Sequence, residues 1–283
     1  MSQVEKYRPV GQCIYCYYKP KNLKELGNEH ILAVSLGGDA VLPRASCKKC
    51  EKVTSYLDGY CAKNIFQSAR FAIGYPTRRP KEVPTHLEVQ ETFSPDPKTA
   101  AKRLVPIGDH PGFLALPSFD LPGIIRNRTP SENFAHPVKF HFWSIFNDHD
   151  ERIQRLKRSG LSGVKLYREV KVAPFVRMLA KVAHAGAVAR CGGLDSFTPL
   201  LPEVILKGTS APYLIGCAER RTPPPSFELH KFNLEIREIN SKRYVIAFLR
   251  LFANIGADVG TPVYLLVVGE ALPKAEERIV FVP

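Results

Sequence analysis

The stretch CIYCYYKPKNLKELGNEHILAVSLGGDAVLPRASCKKCE, residues 13–51, contains two Cys-x-x-Cys pairs that enclose a Glu-His dipeptide. The pairs are Cys13 with Cys16 and Cys47 with Cys50. Four thiolates in two such pairs fill the tetrahedral coordination of Zn²⁺ and leave no open position for water. We therefore expect a structural zinc ion that holds a short loop together. An iron–sulfur centre or free thiols are the alternatives.

The residues enclosed by the pairs, and those that follow, predict a small unit of strand, turn, strand and helix. The Gly37-Gly38 pair interrupts two short extended runs and predicts the turn. Residues 51–74 carry apolar side chains at spacings of three to five. This pattern predicts an amphipathic helix that begins inside the second cysteine pair and has a weak point at Gly59.

Proline content divides the rest of the chain. Five prolines between residues 76 and 97 predict an extended connector over residues 75–98, with one short edge strand in HLEVQETF. This connector would separate an N-terminal unit, residues 1–74, from a larger domain, residues 99–283. From Lys98 to Pro137 the sequence stays rich in proline and predicts loops.

The larger domain combines helical and strand patterns. Residues 138–146, VKFHFWSIF, predict a strand, and residues 148–160 begin with acidic and end with basic side chains, the charge order that a helix dipole favours. Residues 173–193 predict a long helix, with a proline in its first turn and a Gly-Gly pair at its end. Antiparallel strands are predicted for FELHKFNLEIREI, RYVIAFLRLFA and PVYLLVVGEAL.

The charge of the chain points to an anionic partner. The formal net charge is +13 and the sequence pI is about 9.4. A basic surface attracts polyanions, so nucleic acid is the leading expectation and an anionic membrane surface the second. A basic protein without such a partner is the alternative. Basic clusters that could follow a phosphate backbone lie at residues 77–81, 125–128, 152–158 and 219–221.

The compartment is predicted from the apolar segments and the cysteines. No segment reaches the roughly 18 to 20 uncharged apolar residues that cross a bilayer. The first residues, MSQVEKYRPVGQ, lack the apolar run of a secretory signal. We expect a cytoplasmic protein with no membrane association, in which the seven cysteines bind metal in preference to forming disulfides.

The two cysteine pairs, the Glu29-His30 dipeptide, the Gly-Gly turn and the helix start, in this order, resemble the HNH endonucleases that carry four zinc-binding cysteines. The resemblance covers residues 11–58, about a fifth of the chain. It implies a zinc-bound ββα-metal module that hydrolyses phosphodiester bonds in DNA. The expected fold class is α+β, with this module followed by a larger α+β domain that has an antiparallel sheet.

The resemblance also implies roles for individual residues. His30 would be the general base that deprotonates water, and Glu29 would bind a divalent ion. Glu51 takes the position of the family's last histidine or asparagine and, with Glu29, would form a two-carboxylate site for Mg²⁺ or Mn²⁺. In the plainer alternative, Glu29 forms an ion pair with Lys24 or Lys52. Possible phosphate contacts are Thr54, Ser55, Lys48 and Lys52.

One position departs from the family's pattern. The asparagine that orients the histidine in the family corresponds to Leu42, which has no hydrogen-bonding group. His30 would then be oriented by a backbone carbonyl or by another side chain such as Ser35 or Asp39. Leu42 therefore favours an alternative in which catalysis has lapsed and a zinc-stapled DNA- or RNA-binding protein remains.

Other functions stay open. A purely structural or protein-interaction domain is a third class, and it would lack salt-sensitive binding to nucleic acid. The larger domain would supply DNA grip, target choice or a contact in a homo-oligomer. Residues 147–152, NDHDER, predict either a metal site or, more simply, a helix start rich in carboxylates.

Overall fold

The computed structural model describes residues 7–75, 83–91, 102–130, 137–161, 164–165, 170–218, 223–256 and 260–279. The α-helices are α1 (Lys48–Tyr60), α2 (Gln67–Ile73), α3 (His149–Arg158), α4 (Val172–Cys191), α5 (Leu201–Lys207), α6 (Ala211–Leu214) and α7 (Pro273–Glu276). The strands are β1 (Leu26–His30), β2 (Val41–Cys47), β3 (His86–Glu91), β4 (Lys102–Pro106), β5 (Phe113–Ser118), β6 (Lys139–Ser144), β7 (Val164–Lys165), β8 (Phe197–Pro199), β9 (Ile215–Cys217), β10 (Lys231–Ile239), β11 (Lys242–Arg250) and β12 (Tyr264–Ala271). The fold class is α+β, as predicted.

The N-terminal unit is an antiparallel β1–β2 hairpin followed directly by α1. A short 3₁₀ turn, Val34–Leu36, reverses the chain, and Gly37 follows it with a φ of +86°. A β-carbon at Gly38 would lie 2.2 Å from the main-chain oxygen of Leu32, so the turn needs both glycines. Helix α1 starts between the last two cysteines, as predicted, and continues through a π-helical turn, Cys61–Ile65, into α2.

The larger domain is built around α4 and an antiparallel sheet with the order β10-β11-β12-β8, to which β9 is added along β12. Helix α4 packs against β11 and β12 on the sheet and against α1 and α5. Pro174 lies in its first turn and Gly192 ends it with a φ of +75°, so the predicted start and stop signals are confirmed.

One buried core crosses the predicted boundary near residue 75. Ile14 and Leu57 of the N-terminal unit belong to the same buried cluster as Val182 of α4 and Val267 of β12. The ring of Phe66 lies 5.2 Å, centroid to centroid, from that of Phe252. The N-terminal unit is therefore anchored by the apolar surface of the larger domain as well as by its own residues.

Residues 83–161 depart from the sequence prediction in two places. The predicted edge strand, β3, lies in the middle of a three-stranded sheet, because β4 pairs with one side of it and β7 with the other. The predicted loop from Lys98 to Pro137 contains β4 and β5. Strand β5 tolerates Pro117 because it pairs with β6 alone in a two-stranded sheet. The other connector residues, 76–82 and 92–98, lie outside the described residues.

Helix α4 is long and apolar enough to span a membrane by length and composition alone. However, 72% of its most apolar window is buried inside the protein. The buried residues include a lysine, Lys181. In this structure α4 is the central helix of the core.

Candidate active site and metal centre

The four cysteines of the two predicted pairs converge. The Sγ atoms of Cys13, Cys16, Cys47 and Cys50 all lie within 4.8 Å of one another. The first pair lies in a tight turn, in which the N–H of Tyr17 donates to the carbonyl of Cys13 at 2.9 Å. The second pair spans the end of β2 and the first turn of α1. The fold thus brings together two sulfurs from a turn and two from a helix start.

This cysteine cluster fits a structural zinc ion. The side-chain hydrogen bond between Cys13 and Cys50 lowers the pKa of Cys13 to about 4 and raises that of Cys50. Cys13, Cys47 and Cys50 are buried. Because four sulfur atoms from two Cys-x-x-Cys pairs are the donor set of closed structural zinc sites, the cluster suits Zn²⁺.

Histidines from the larger domain hold the loops of the N-terminal unit. Nε2 of the buried His184, on α4, lies 2.7 Å from the main-chain oxygen of Ile14, next to Cys13. Nε2 of His230 lies 2.7 Å from the main-chain oxygen of Leu36, at the turn between β1 and β2. Burial lowers the pKa of each histidine to about 4, so both act as neutral donors.

Glu29 and His30 end strand β1 and line one large cavity. Strand β1 carries a bulge between Gly27 and Glu29, after which Glu29 is opposite Leu42 of β2 and His30 is opposite Val41. The cavity has a volume of about 1290 Å³. Its lining residues are Asn28, Glu29, His30, Ala33, Val34, Ser35, Glu51, Thr54, Ser55, Asp58, Gly59, Tyr60, Ala62, Lys63, Asn64, Gln67, Arg70, Phe71, Val83, Pro84 and Lys171.

Glu29 forms an ion pair, but with neither of the lysines considered from the sequence. Its Oε1 lies 3.2 Å from Nζ of Lys181, which is fully buried on α4. The same Nζ lies 2.9 Å from Oδ2 of Asp58, two turns after Glu51 on α1. Burial raises the pKa of Glu29, and Lys181 opposes that rise. Burial also disfavours the charge on Lys181, but Asp58 and Glu29 outweigh it and raise its pKa.

Glu51 lies at the mouth of the site, in the first turn of α1. Its carboxylate is about 40% exposed and lies 3.2 Å from Nζ of Lys48. A β-carbon at Gly27 would come within 3.4 Å of Oε2 of Glu51, so the carboxylate lies directly against β1. The carboxylate of Glu51 therefore lies close to strand β1, with space left for a β-carbon at position 27.

The predicted phosphate contacts fall into two groups. Thr54 and Ser55 line the cavity, with Ser55 exposed and Thr54 buried. The hydroxyl of Thr54 donates to the main-chain oxygen of Glu51 at 3.3 Å. Lys48 and Lys52 are exposed on α1 and are not among the described residues that line the cavity. The face of α1 that carries Thr54 and Ser55 therefore borders the cavity, and the face that carries Lys48 and Lys52 does not.

Leu42 does not face the cavity. Its side chain is 2% exposed and belongs to the main hydrophobic core, and among the described residues it is not one that lines the site. Ser35, one of the side chains proposed to orient His30, does line it. A polar residue at position 42 would therefore meet the core and not His30.

The cavity contains carboxylate oxygen atoms, the type of donor that hard divalent ions prefer. Three carboxylates line the cavity, and Oδ1 of the largely buried Asp58 has no hydrogen-bond partner among the described residues. Carboxylate oxygens are the ligands that Mg²⁺ and Mn²⁺ prefer. Within the described residues, only the four cysteines bring three or more ligand atoms within 4.8 Å of one another. The carboxylates share a cavity without forming such a cluster.

Asp58 and Lys181 were not predicted as site residues from the sequence. Asp58 follows Glu51 by seven residues, about two helical turns, which is the spacing of one helix face and was a usable signal. Lys181 was visible only as a single lysine within an apolar helical stretch. Its partners are more than 120 residues away, so no local pattern could name them.

The basic clusters outside the cavity are largely engaged. Arg126 forms an ion pair with Asp120 at 2.8 Å, and Arg155 forms one with Asp109 at 2.8 Å. Arg152 contacts Asp148, the residue before α3, at 2.8 Å, and this explains the acidic start of that helix without a metal. The clusters at 77–81 and 219–221 lie outside the described residues.

The chain matches no protein-family model, no curated protein and no solved structure.

Proposed function

We propose that this protein is a metal-dependent endonuclease of the HNH type that hydrolyses phosphodiester bonds in DNA. The observation that supports it most is that His30, Glu29 and Glu51 line one cavity beside the cysteine cluster. Glu51 is 21 residues after His30, and the hairpin and helix α1 bring it to the same cavity as the Glu29-His30 dipeptide. A zinc ion at the cysteines would fix that hairpin against α1.

His30 is the proposed general base. An imidazole can take a proton from water near neutral pH, and a residue at the end of β1 that lines an open cavity can reach a bound substrate. Lys181 donates a hydrogen bond to the main-chain oxygen of His30, which fixes the backbone that carries the imidazole. Ser35 is the lining hydroxyl proposed to orient the ring.

Glu29 and Glu51 are the proposed ligands of the divalent ion. Mg²⁺ or Mn²⁺, when bound, would stabilise negative charge on the scissile phosphate and on the departing oxygen. Glu29 is buried and fixed by Lys181, while Glu51 is partly exposed. One rigid and one accessible carboxylate would together place the ion at the cavity mouth.

Nucleic acid is the proposed ligand because of the charge and the shape of the site. The basic residues Lys63, Arg70 and Lys171 line the same cavity as the carboxylates. Arg70 also donates to the main-chain oxygen of Ser35 at 2.6 Å, so it supports the wall of the cavity. Lys171 is exposed, and its cationic group is the proposed contact for a phosphate.

Leu42 supports a second candidate, a zinc-stapled protein that binds DNA or RNA without cleaving it. The side chain at this position is in the core, so it cannot orient His30. This candidate predicts salt-sensitive binding to nucleic acid and no cleavage that depends on a divalent ion.

The test is nicking of supercoiled plasmid DNA in Mg²⁺ or Mn²⁺. We expect the wild type to nick the plasmid and His30→Ala to be slower by at least about 100-fold, the usual contribution of a general base. His141→Ala is the matched control, because His141 is an exposed histidine on β6. Equal cleavage by the wild type and His30→Ala would rule out the proposed base, and binding without cleavage by the wild type would select the second candidate.

A further inference from the structure

The ammonium group of Lys181 is a buried cation surrounded by four oxygen atoms. Nζ lies 2.9 Å from Oδ2 of Asp58 and 3.2 Å from Oε1 of Glu29. It also donates to the main-chain oxygens of His30 and Ile31, the latter at 3.3 Å. The side chain is 0% exposed. A lysine ammonium has three donors, so its whole hydrogen-bonding capacity is spent on this site.

These oxygens come from the elements that carry the proposed catalytic groups. Glu29 and His30 belong to β1, and Asp58 belongs to α1, the helix that begins with Glu51 in its first turn. Lys181 comes from α4 of the larger domain. One side chain of α4 therefore fixes both elements at the point where they border the cavity.

A charged residue is an expensive choice for packing at this position. Its neighbours on α4, Ala180 and Val182, are buried and apolar, and burying an ammonium is unfavourable unless partners compensate its charge. An apolar side chain of similar length would fill the same space. Packing alone therefore does not explain why the residue at position 181 is charged. The two carboxylates that contact the ammonium group, those of Glu29 and Asp58, line the cavity.

We propose that Lys181 is a positioning residue of the active site, an inference that rests on the proposed function. Its ammonium group balances the negative charges of Glu29 and Asp58. Its hydrogen bond to the main-chain oxygen of His30 fixes the backbone at that residue. Lys181 thereby limits how strongly the carboxylates of Glu29 and Asp58 attract divalent ions. It also keeps the bound ion correctly placed relative to His30. The site is complete only when α4 is docked against the N-terminal unit.

The proposal predicts opposite changes in metal affinity and in cleavage. Lys181→Met keeps most of the length of the side chain and removes its charge, which leaves two adjacent carboxylates without a cation. We expect Mn²⁺ to bind at least about tenfold more tightly, because the lost charge lies within hydrogen-bonding distance of both carboxylates. We expect DNA cleavage to fall by at least about 100-fold, because His30 loses its backbone support. A loss of packing alone would not tighten metal binding.

A charge-balanced double variant separates the two effects. Lys181→Met combined with Asp58→Asn restores the net charge of the buried group to that of the wild type. Its affinity for Mn²⁺ should return to within about threefold of the wild-type value. Its cleavage rate should remain low, because the main-chain oxygen of His30 still lacks its donor. This variant also removes one of the two carboxylate charges that the single variant leaves without a cation, and it should therefore be the more stable of the two.

Chemical rescue gives an independent readout. Lys181→Ala removes the part of the side chain that propylammonium would replace. Propylammonium can approach this position through the cavity, because Glu29, His30 and Asp58, which contact the ammonium, line it. Added propylammonium should raise the cleavage rate of Lys181→Ala by about tenfold or more, whereas propanol, which has no charge, should not.

The deciding experiment is calorimetric titration with Mn²⁺ of the wild type, the single and double variants and Lys207→Met, together with their plasmid-nicking rates. Lys207 is an exposed lysine paired with Glu203, and its variant should match the wild type in both measurements. Tighter Mn²⁺ binding in Lys181→Met, reversed in the double variant, supports the proposal. It is overturned if neither variant alters Mn²⁺ affinity in this way, or if the double variant cleaves at the wild-type rate. Failure of the wild type to cleave would instead refute the proposed function, and the Mn²⁺ affinities would still decide the role of Lys181.

Discussion

Nζ of Lys181 lies 2.9 Å from Oδ2 of Asp58, although 123 residues separate them in the sequence. The contact joins α4, the central helix of the core, to α1, the helix that begins in the second cysteine pair. Because Glu29 shares the same ammonium, the contact also reaches the strand that carries His30. One ammonium group of α4 therefore links the larger domain to the strand and the helix that border the cavity.

This coupling predicts a loss of stability when the charge is removed. Lys181→Met should lower the free energy of unfolding by about 3 kcal/mol, because two buried carboxylates lose their cation. The double variant Lys181→Met/Asp58→Asn should lose less. Urea denaturation followed by circular dichroism measures both, and Lys207→Met should stay within about 0.5 kcal/mol of the wild type. A smaller loss in Lys181→Met than in Lys207→Met would contradict the buried ion pair.

The cysteine cluster predicts one tightly bound zinc ion per chain. Cys50→Ser should lose the ion and destabilise the N-terminal unit, because the cluster links the first loop to the start of α1. Cys191→Ala is the matched control, since Cys191 is a buried cysteine on α4 outside the cluster. Atomic absorption of the purified proteins measures the metal. Zinc retained at full occupancy by Cys50→Ser would count against the four-sulfur site.

The two histidines that support the N-terminal loops predict a loss of stability in acid. Burial lowers the pKa of His184 and of His230 from 6.5 to about 4, so the unfolded chain binds more protons than the folded one between these values. The stability that each contributes is present above pH 6.5 and is lost as the pH falls toward 4. Between pH 7 and pH 5 the loss should be about 2 kcal/mol for each histidine.

A glutamine at position 230 isolates this effect. His230→Gln keeps a donor for the main-chain oxygen of Leu36 but cannot be protonated. Urea denaturation at pH 7 and pH 5 should show a fall in stability that is smaller for His230→Gln than for the wild type by about 2 kcal/mol. Any protonation of the cysteines affects both proteins alike. Identical falls would show that His230 does not titrate in this range.

The core position of Leu42 predicts that asparagine there will not improve catalysis. Leu42→Asn should destabilise the protein by about 2 to 4 kcal/mol, since a buried leucine is lost and an amide is placed in an apolar core. Cleavage by the variant should be no faster than by the wild type, because position 42 does not line the cavity. Leu42→Met is the control for side-chain volume. An increase in the cleavage rate of Leu42→Asn would show that this side chain does reach His30.

The cysteine spacing and the helix signals predicted much of the fold. The four cysteines, Cys13, Cys16, Cys47 and Cys50, come together as predicted. The two Gly-Gly pairs lie at the hairpin turn and at the end of α4, also as predicted. These features are local, since each depends on residues a few positions apart or on a metal-binding pattern with fixed spacing. Predictions that depended on strand neighbours did less well. Strand β3 has partners on both sides that its own sequence could not reveal.

The candidate site was only half predictable, for a physical reason. His30, Glu29 and Glu51 could be named from the motif and do line a common cavity. Two side chains of the larger domain support these residues: Lys181 pairs with Glu29, and His230 contacts the main-chain oxygen of Leu36 in the hairpin turn. Both come from elements that reach the site only when the shared core has formed. A buried lysine in an apolar helix is a visible anomaly, but its partners follow from the tertiary packing.

Anomalous diffraction from crystals of the wild type soaked in Mn²⁺ tests whether the cavity is a divalent-metal site built around His30. The account predicts a manganese peak in the cavity, bound by carboxylate oxygens of Glu29 and Glu51 and adjacent to His30, in addition to zinc at the four cysteines. Manganese absent from the cavity at a concentration that saturates the protein in solution, or bound only outside it, would contradict the account.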